Sequence, residues 1–303
     1  MQSLFNANDW ESQLISLYLD LNHYFYDQGW ASYIERFSPN KYPKFDDVEV
    51  LSSYLFVRIY FPQLHQMKQI QSMIKLFLSA WFPKLPKYNT YLARVKRLLP
   101  VMIKFLDKLS NQVLEENKEY IIDSCPIEIT SKLRCNQSKI ANEIATHSYC
   151  ASKQKFYYGI KLHILAICQT KKLPIPCYIG ISEGSMFDIK ALEALELKNI
   201  TINADLAYQS DELSKKLKAN GCHLKTPRKH TKGKFFFDGK DTASTDVSKK
   251  RQPIECLFAW LNEKTNIQDA HFVRSVQGLF LHVWGSLLTS MLLLFKKYEI
   301  PTP

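Results

Sequence analysis

Glycine is scarce in this sequence, nine residues in 303, while hydrophobic residues make up 46% and aromatics 13%. That balance excludes a linker-rich or disordered chain and leaves a packed globular protein, long enough for one large domain or two ordinary ones. No C-x-x-C pair occurs among the seven cysteines, Cys125, Cys135, Cys150, Cys168, Cys177, Cys222 and Cys256. Neither a zinc spacing nor a paired disulfide framework is indicated, and the cysteines read as reduced thiols. The first residues also lack a basic stretch followed by an apolar run, so no secretory signal is read and a cytoplasmic location is expected. Acidic side chains are in deficit, 29 against 40 Lys plus Arg, for a formal charge of +11. Such a surplus favours a polyanionic partner, either nucleic acid or an anionic membrane surface.

Long apolar runs are limited to one. Val276 to Phe295, VQGLFLHVWGSLLTSMLLLF, followed by Lys296 and Lys297, approaches the length that spans a bilayer. Gln277, His282, Ser286, Thr289 and Ser290 dilute it, so it reads as a buried core helix, with no membrane partner expected.

From Asn8 to about Glu116 apolar residues recur at three- and four-residue spacing, which predicts helices, four in number. Asp46 or Asp47 can cap DVEVLSSYLFVRIYF, Pro62 ends it, and Pro83 with Pro86 separates MKQIQSMIKLFLSAWF from the next helix. There Asn89 or Thr90 can cap YLARVKRLL, placing Arg94, Lys96 and Arg97 in the first turns, where a recognition helix presents side chains to a DNA groove. A solvated basic face explains the same residues. Residues 1–112 thus read as an all-helical, helix-turn-helix-type DNA-binding region.

From Lys118 the texture changes. EYIIDS reads as a strand ending at Asp123, Phe156 to Cys168 as a long strand and Ile175 to Ser182 as its partner. A helix capped by Asp188 follows, then a strand reaching Asp205, a helix stopped by Gly221, and a strand in CHLKTP. Residues 113–303 therefore predict an α/β domain with a mixed five-stranded sheet, a basic loop at 228–250 and two closing helices, the first starting near Pro253.

Asp123 and Asp205 would end strands and Glu255 would lie in the first turn of a closing helix, so the three carboxylates can converge on a cleft. Hard oxygen ligands of this kind suit Mg²⁺, and two such ions can activate the attacking oxygen and stabilise the leaving one in phosphodiester chemistry. A lone carboxylate in such a place is more simply a cap or a surface charge.

With IIDSCPIEI and Arg134 downstream, FYYGIKLHIL, NADLAY and RQPIECLFAWLNEK in this order, the chain resembles bacterial insertion-sequence transposases. The likeness is to the insertion sequence 982 family, within the DDE group of ribonuclease H-like enzymes. The resemblance implies a transposase whose catalytic and metal-binding carboxylates are Asp123, Asp205 and Glu255. It further implies Mg²⁺, with Mn²⁺ able to substitute, nicking at element ends, and transfer of the 3′-hydroxyl into target DNA. The partners it implies are double-stranded DNA, as terminal inverted repeats and target, and a second copy of the chain in a homodimer or larger synaptic complex, cytoplasmic and nucleoid-associated in a bacterium. Two departures stand out. Around the last carboxylate Arg251 and Glu255 fit the related pattern, but Ser248 and Asn262 replace its Tyr and Lys, leaving Lys264 as a substitute phosphate contact. After the second Asp, Leu206-Ala207-Tyr208 replaces Lys-Gly-Tyr.

His163 alternates with Lys161 and could face the cleft beside Asp123; Asp188 reads as a helix cap or a fourth ligand, and Glu128 as solvated. Lys225, Arg228, Lys229, Lys232, Lys234, Lys249, Lys250 and Arg251 cluster before Glu255, which favours DNA over membrane, and Phe235 to Phe237 could stack on an unpaired base. Rival readings are a non-catalytic, transposase-derived DNA-binding protein, a membrane-associated protein using Val276 to Phe295, and a nuclease that cuts without joining.

Overall fold

The computed structural model describes residues 9–34, 43–116, 118–130, 135–150, 153–227 and 242–302. The chain forms two compact units. The first comprises Met1–Leu109, Glu263–Ile267 and Phe272–Pro303. Its helices are α1 (Trp10–Asn22), α2 (Asp47–Tyr60), α3 (Met67–Phe77), α4 (Tyr88–Arg97), α5 (Leu99–Gln112) and the C-terminal α9 (Val276–Lys297). Among the described residues the N-terminal stretch thus holds five α-helices rather than four. Pro100 stands in the first turn of α5, where a ring without an N–H is tolerated as it is not in a helix interior.

Asp46 starts α2 with a capping box: its carboxylate accepts from the Glu49 N–H at 2.7 Å, and Glu49 accepts from the Asp46 N–H at 2.6 Å. Val48, Val50, Leu51, Tyr54, Leu55 and Val57 are all buried, so α2 is enclosed on nearly every side. Against it lies α9. At Gly285 an added Cβ would come within 2.2 Å of the Tyr54 hydroxyl, so only glycine permits this approach. Arg58 is buried in the same contact and donates to Ser286 Oγ at 2.8 Å. Among the described residues α9 is the one helix long and apolar enough to cross a membrane, and 72% of its most apolar stretch is buried in the structure. The sequence grouped this helix with the sheet; its buried face instead packs on α2 and α4.

The second unit comprises Ser110–Asn262 and Gln268–His271. Its strands are β1 (Glu119–Thr130), β2 (Thr146–Cys150), β3 (Lys155–Ile167), β4 (Ile175–Glu183), β5 (Thr201–Asn203) and β6 (His223–Lys225), with α6 (Asp188–Glu193), α7 (Asp211–Ala219) and α8 (Thr242–Thr265). The mixed sheet runs β2-β3-β1-β5-β6, and β4 pairs with β3 as well. Among the described residues six strands replace the five expected: THSYC in β2 is too short and polar to stand out, and its pairing with Lys155 to Gly159 of β3 defines it. The ladders of β1 with β3 and of β3 with β4 are antiparallel, whereas β5 is parallel to both β1 and β6. Gly221, at φ +72°, ends the α7 turn as its lack of a Cβ allows.

Two expectations change here. Helix α8 begins at Thr242, so the last part of the anticipated basic loop is helical and Pro253 lies inside the helix. Glu128 is buried rather than solvated, with Lys155 at 2.6 Å and Lys153 at 3.8 Å. Its backbone pairs with the Gln268 carbonyl and the Ala270 N–H, which ties Gln268–His271 to this unit.

Candidate active site

Strand β1 is longer than its sequence suggests and continues through Pro126 to Thr130. Asp123 therefore lies mid-strand. The parallel pairing of β1 with β5 stops at Ile121 and Asn203, and Asp123 and Asp205 each follow two residues later. They occupy equivalent positions where two neighbouring parallel strands part, the kind of opening in which α/β sheets hold ligands. Asp205 then caps a short 3₁₀ turn, Leu206–Tyr208, accepting from the Leu206 N–H at 2.7 Å.

The third carboxylate arrives on α8. Ile254, Leu257, Phe258 and Leu261 form its buried stripe, with the spacing of one helix face. Arg251 and Glu255 are four residues apart beside that stripe. One guanidinium joins two acids: Arg251 Nη1 donates to Asp123 Oδ2 at 2.7 Å and Nη2 to Glu255 Oε1 at 2.9 Å. Glu255 is mostly solvent-exposed, while Asp123 is largely covered. Burial pushes the Asp123 carboxyl up to about 6; the Ser124 N–H and Arg251 oppose the shift, and the charges of Asp205 and Asp188 add to it. Among the described residues no three His, Cys, Asp or Glu side chains are gathered as a ready metal cage.

Asp188 is not a helix cap. Phe187 occupies that position and Asp188 makes no capping bond. Its carboxylate accepts from Ser124 Oγ at 2.8 Å and from Lys161 Nζ at 3.1 Å. His163 lies opposite Ser124 in the β1–β3 register, while Ile164 lies opposite Asp123. Alternation along the strand turns His163 and Asp123 to different faces, which corrects the placing of His163 beside Asp123. Its Nε2 meets Ser182 Oγ at 2.8 Å and its Nδ1 lies 3.8 Å from Asp188. Desolvation lowers its pKa to about 4, Asp188 notwithstanding, so it is neutral in ordinary buffers.

Several anticipated DNA contacts are otherwise engaged. Arg94, Lys96 and Arg97 lie in the last turn of α4, not the first. Arg94 is buried, donating to the Phe45 carbonyl and to Asp47 at 2.6 Å, with Arg97 3.3 Å from the same carboxylate. Arg94 is thereby removed from the side chains that could enter a groove; Lys96 stays half-exposed. Lys225 and Lys250 lie 3.8 and 3.0 Å from Glu119, and Lys249 is exposed. Lys264 pairs with Glu263 at 2.6 Å in the first unit, and Asn262 accepts the Gln268 N–H at 3.1 Å. Arg134, Arg228, Lys229, Lys232, Lys234 and Phe235 to Phe237 lie outside the described residues. Sequence reasoning missed Ser124 and Lys161 as partners of Asp188; no local motif marks them, because β3 and α6 bring them together.

No match is found among curated proteins. A family model described as "Transposase DDE domain" matches residues 114–275, more than half of the chain and a span that includes Asp123, Asp205 and Glu255. On that match, the chain belongs to the transposase DDE domain family.

Proposed function

We propose that the protein is the DNA transposase of an insertion sequence, of the kind found in the insertion sequence 982 family, with a ribonuclease H-like catalytic fold. In this reading it hydrolyses phosphodiesters at the element's ends and then joins the freed 3′-hydroxyl to target DNA. The observation that carries it is the shared guanidinium: Arg251 draws a strand carboxylate and a helix carboxylate together inside the span of the family match.

DDE transposases generally use divalent metals. The chemistry of the donor set suits such an ion, with the carboxylates not yet gathered around one point in this structure. Asp123, Asp205 and Glu255 offer hard oxygen ligands, and the repulsion that Asp205 and Asp188 exert on Asp123 is of the kind a cation relieves. Arg251 supplies the positive charge between Asp123 and Glu255 here. Mg²⁺, or Mn²⁺ in its place, would be held by the three carboxylates and would supply polarisation of the scissile phosphate and activation of the attacking oxygen. Arg251, turned off its carboxylates, presents a planar fork suited to phosphate oxygens. One set of residues serves cutting and joining, since both are in-line attacks on a phosphodiester. The helices of residues 1–112 bind the terminal repeats, with Lys96 and Arg97 near DNA. Lys225, Lys249, Lys250 and the basic residues 228–234 follow the backbone, and the enzyme acts as a homodimer or larger assembly in a bacterial cytoplasm.

The test is nicking and strand transfer on a supercoiled plasmid carrying the element's ends, comparing the wild type with Asp123→Asn, Asp205→Asn and Glu255→Gln. Each variant is expected to retain DNA binding and to lose on the order of a thousandfold or more of both activities. Nicked product without joined product would make the protein a nuclease. Full activity in the three variants would overturn the carboxylate assignment.

A further inference from the structure

Among the described residues β2 is the last strand of the sheet and pairs with β3 alone, from Thr146 opposite Gly159 to Cys150 opposite Lys155. In this register Tyr149 stands opposite Phe156, and their rings lie 4.9 Å apart with planes tilted by 55°. Both are open to solvent, Tyr149 at 51% and Phe156 at 65%. His147, also exposed, continues the row on the same face, its ring 5.0 Å from that of Tyr158. Open sheet edges are ordinarily blunted with charged side chains. This edge presents three rings instead.

Their place relative to Asp123 follows from strand register. Asp123 of β1 is opposite Ile164 of β3, and Ile164 is eight residues beyond Phe156. An even number of steps along a strand returns to the same face, so the rings and Asp123 share one face of the sheet. The separation along β3 is roughly 26 Å at about 3.3 Å per residue, the rise of about eight nucleotides of duplex. Beside the rings, Lys155 reaches Glu128 at 2.6 Å, and Lys153, itself exposed, lies 3.8 Å from the same carboxylate. Two cations attending one acid suit the passage of a phosphate backbone.

We infer that the β2–β3 hairpin is a stacking platform for unpaired bases of DNA, with Tyr149 and Phe156 as its principal rings and His147 beside them. This rests on DNA being the substrate, as proposed above. Any nucleobase can stack on an aromatic face, whatever the sequence. Bases inside a duplex already stack on one another, so the platform selects strand ends and melted stretches. A strand opened near the element's end would be held here while one of its phosphates lies at Asp123. A protein partner would call for a wider apolar patch, whereas the exposed residues leading into β3, Lys153 and Gln154, are polar.

The experiment measures binding of the full-length chain to a labelled thymidine oligonucleotide of about 20 nucleotides, and to a duplex of the same length, by fluorescence anisotropy over a range of salt. Wild type is compared with Tyr149→Leu, Phe156→Leu and the double variant, with sedimentation and thermal melts alongside. Leucine keeps an apolar side chain on the strand and removes the aromatic face. Each single change is expected to weaken single-strand binding about tenfold, and the pair more than either. Duplex binding should change by less than about twofold, and the salt slope should stay as it is, because stacking releases no counterions. Phe156→Trp, with a larger face, should bind the oligonucleotide at least as tightly as wild type.

Wild-type single-strand affinity in the double variant would overturn the inference alone, and if that variant also lost self-association, the edge would be an interface between copies. An equal loss on the duplex would overturn it too, by making the rings general contacts. Failure of the wild type to bind either form would overturn the DNA reading and this inference with it. A second measurement needs no variant: with 5-iodouracil in the oligonucleotide, irradiation of the wild-type complex is expected to cross-link Tyr149 or Phe156. Cross-links confined to other residues would overturn the platform.

Discussion

Two arginine–aspartate pairs, one in each unit, have nearly the same length and opposite surroundings. In the helical unit Asp47 is bonded by Arg94 at 2.6 Å and approached by Arg97 at 3.3 Å, so two cations attend one acid. In the sheet unit Arg251 is bonded to Asp123 at 2.7 Å and to Glu255 at 2.9 Å, so two acids share one cation, with the charges of Asp205 and Asp188 close by. The first arrangement is complete as it stands. The second gathers more acids than Arg251 alone pairs among the described residues, which suits a site that receives a cation. The geometry of a single pair says little about its role; the balance of charge around it says much more.

Removing the cation from each pair should separate them most. Arg94→Met leaves Asp47 buried with one more distant partner and is expected to cost about 3–5 kcal/mol in denaturant unfolding. Arg251→Met should cost less than about 1 kcal/mol, because Glu255 is well solvated and Asp123 can take up a proton instead. Equal losses would erase the distinction between lock and site.

Asp123→Asn sharpens the comparison from the acid side. Its folded pKa, about 6, lies above the unfolded carboxylate value near 3.9. The protonated acid therefore contributes stability below roughly pH 4, and that contribution is lost as pH rises through about 6. Metal-free Asp123→Asn should gain on the order of 2 kcal/mol at pH 7 and little at pH 4, read from melting curves at both. A loss at pH 7 would mean that the Arg251 bond outweighs burial.

The smallest effects belong to cations in neither pair. Lys96→Ala and Lys249→Ala should each weaken DNA binding by about two- to threefold, lower the salt slope by about one, and leave the melting temperature unchanged. A salt slope unaltered in both would exclude them from the DNA surface.

The parts of this molecule legible in its sequence are those governed by local pattern. The Asp46 cap of α2 and the Gly221 stop of α7 follow from nearest neighbours. The parting of β1 from β5 beside Asp123 and Asp205 could be anticipated only as two strand ends, because parallel pairing joins residues some 80 positions apart. Less legible was anything decided by what lies across the fold. Arg94 reads as a free basic residue until Asp47 is brought to it. EYIIDS reads as a strand ending at Asp123, yet β1 continues through Pro126 to Thr130. Pro253 looks like a helix start because proline suits a first turn, yet it stands inside α8.

That proline has a mechanical meaning. Having no N–H, it cannot bond the carbonyl of Lys249, so the ladder of α8 lacks a rung in this turn. Arg251 and Glu255 stand two residues before and two after it. The groups that reach toward Asp123 are thus mounted on either side of a joint, while Ile254, Leu257 and Leu261 clamp the shaft to the core. Helix α8 combines an anchored apolar stripe with a missing backbone bond in the turn that carries Arg251 and Glu255.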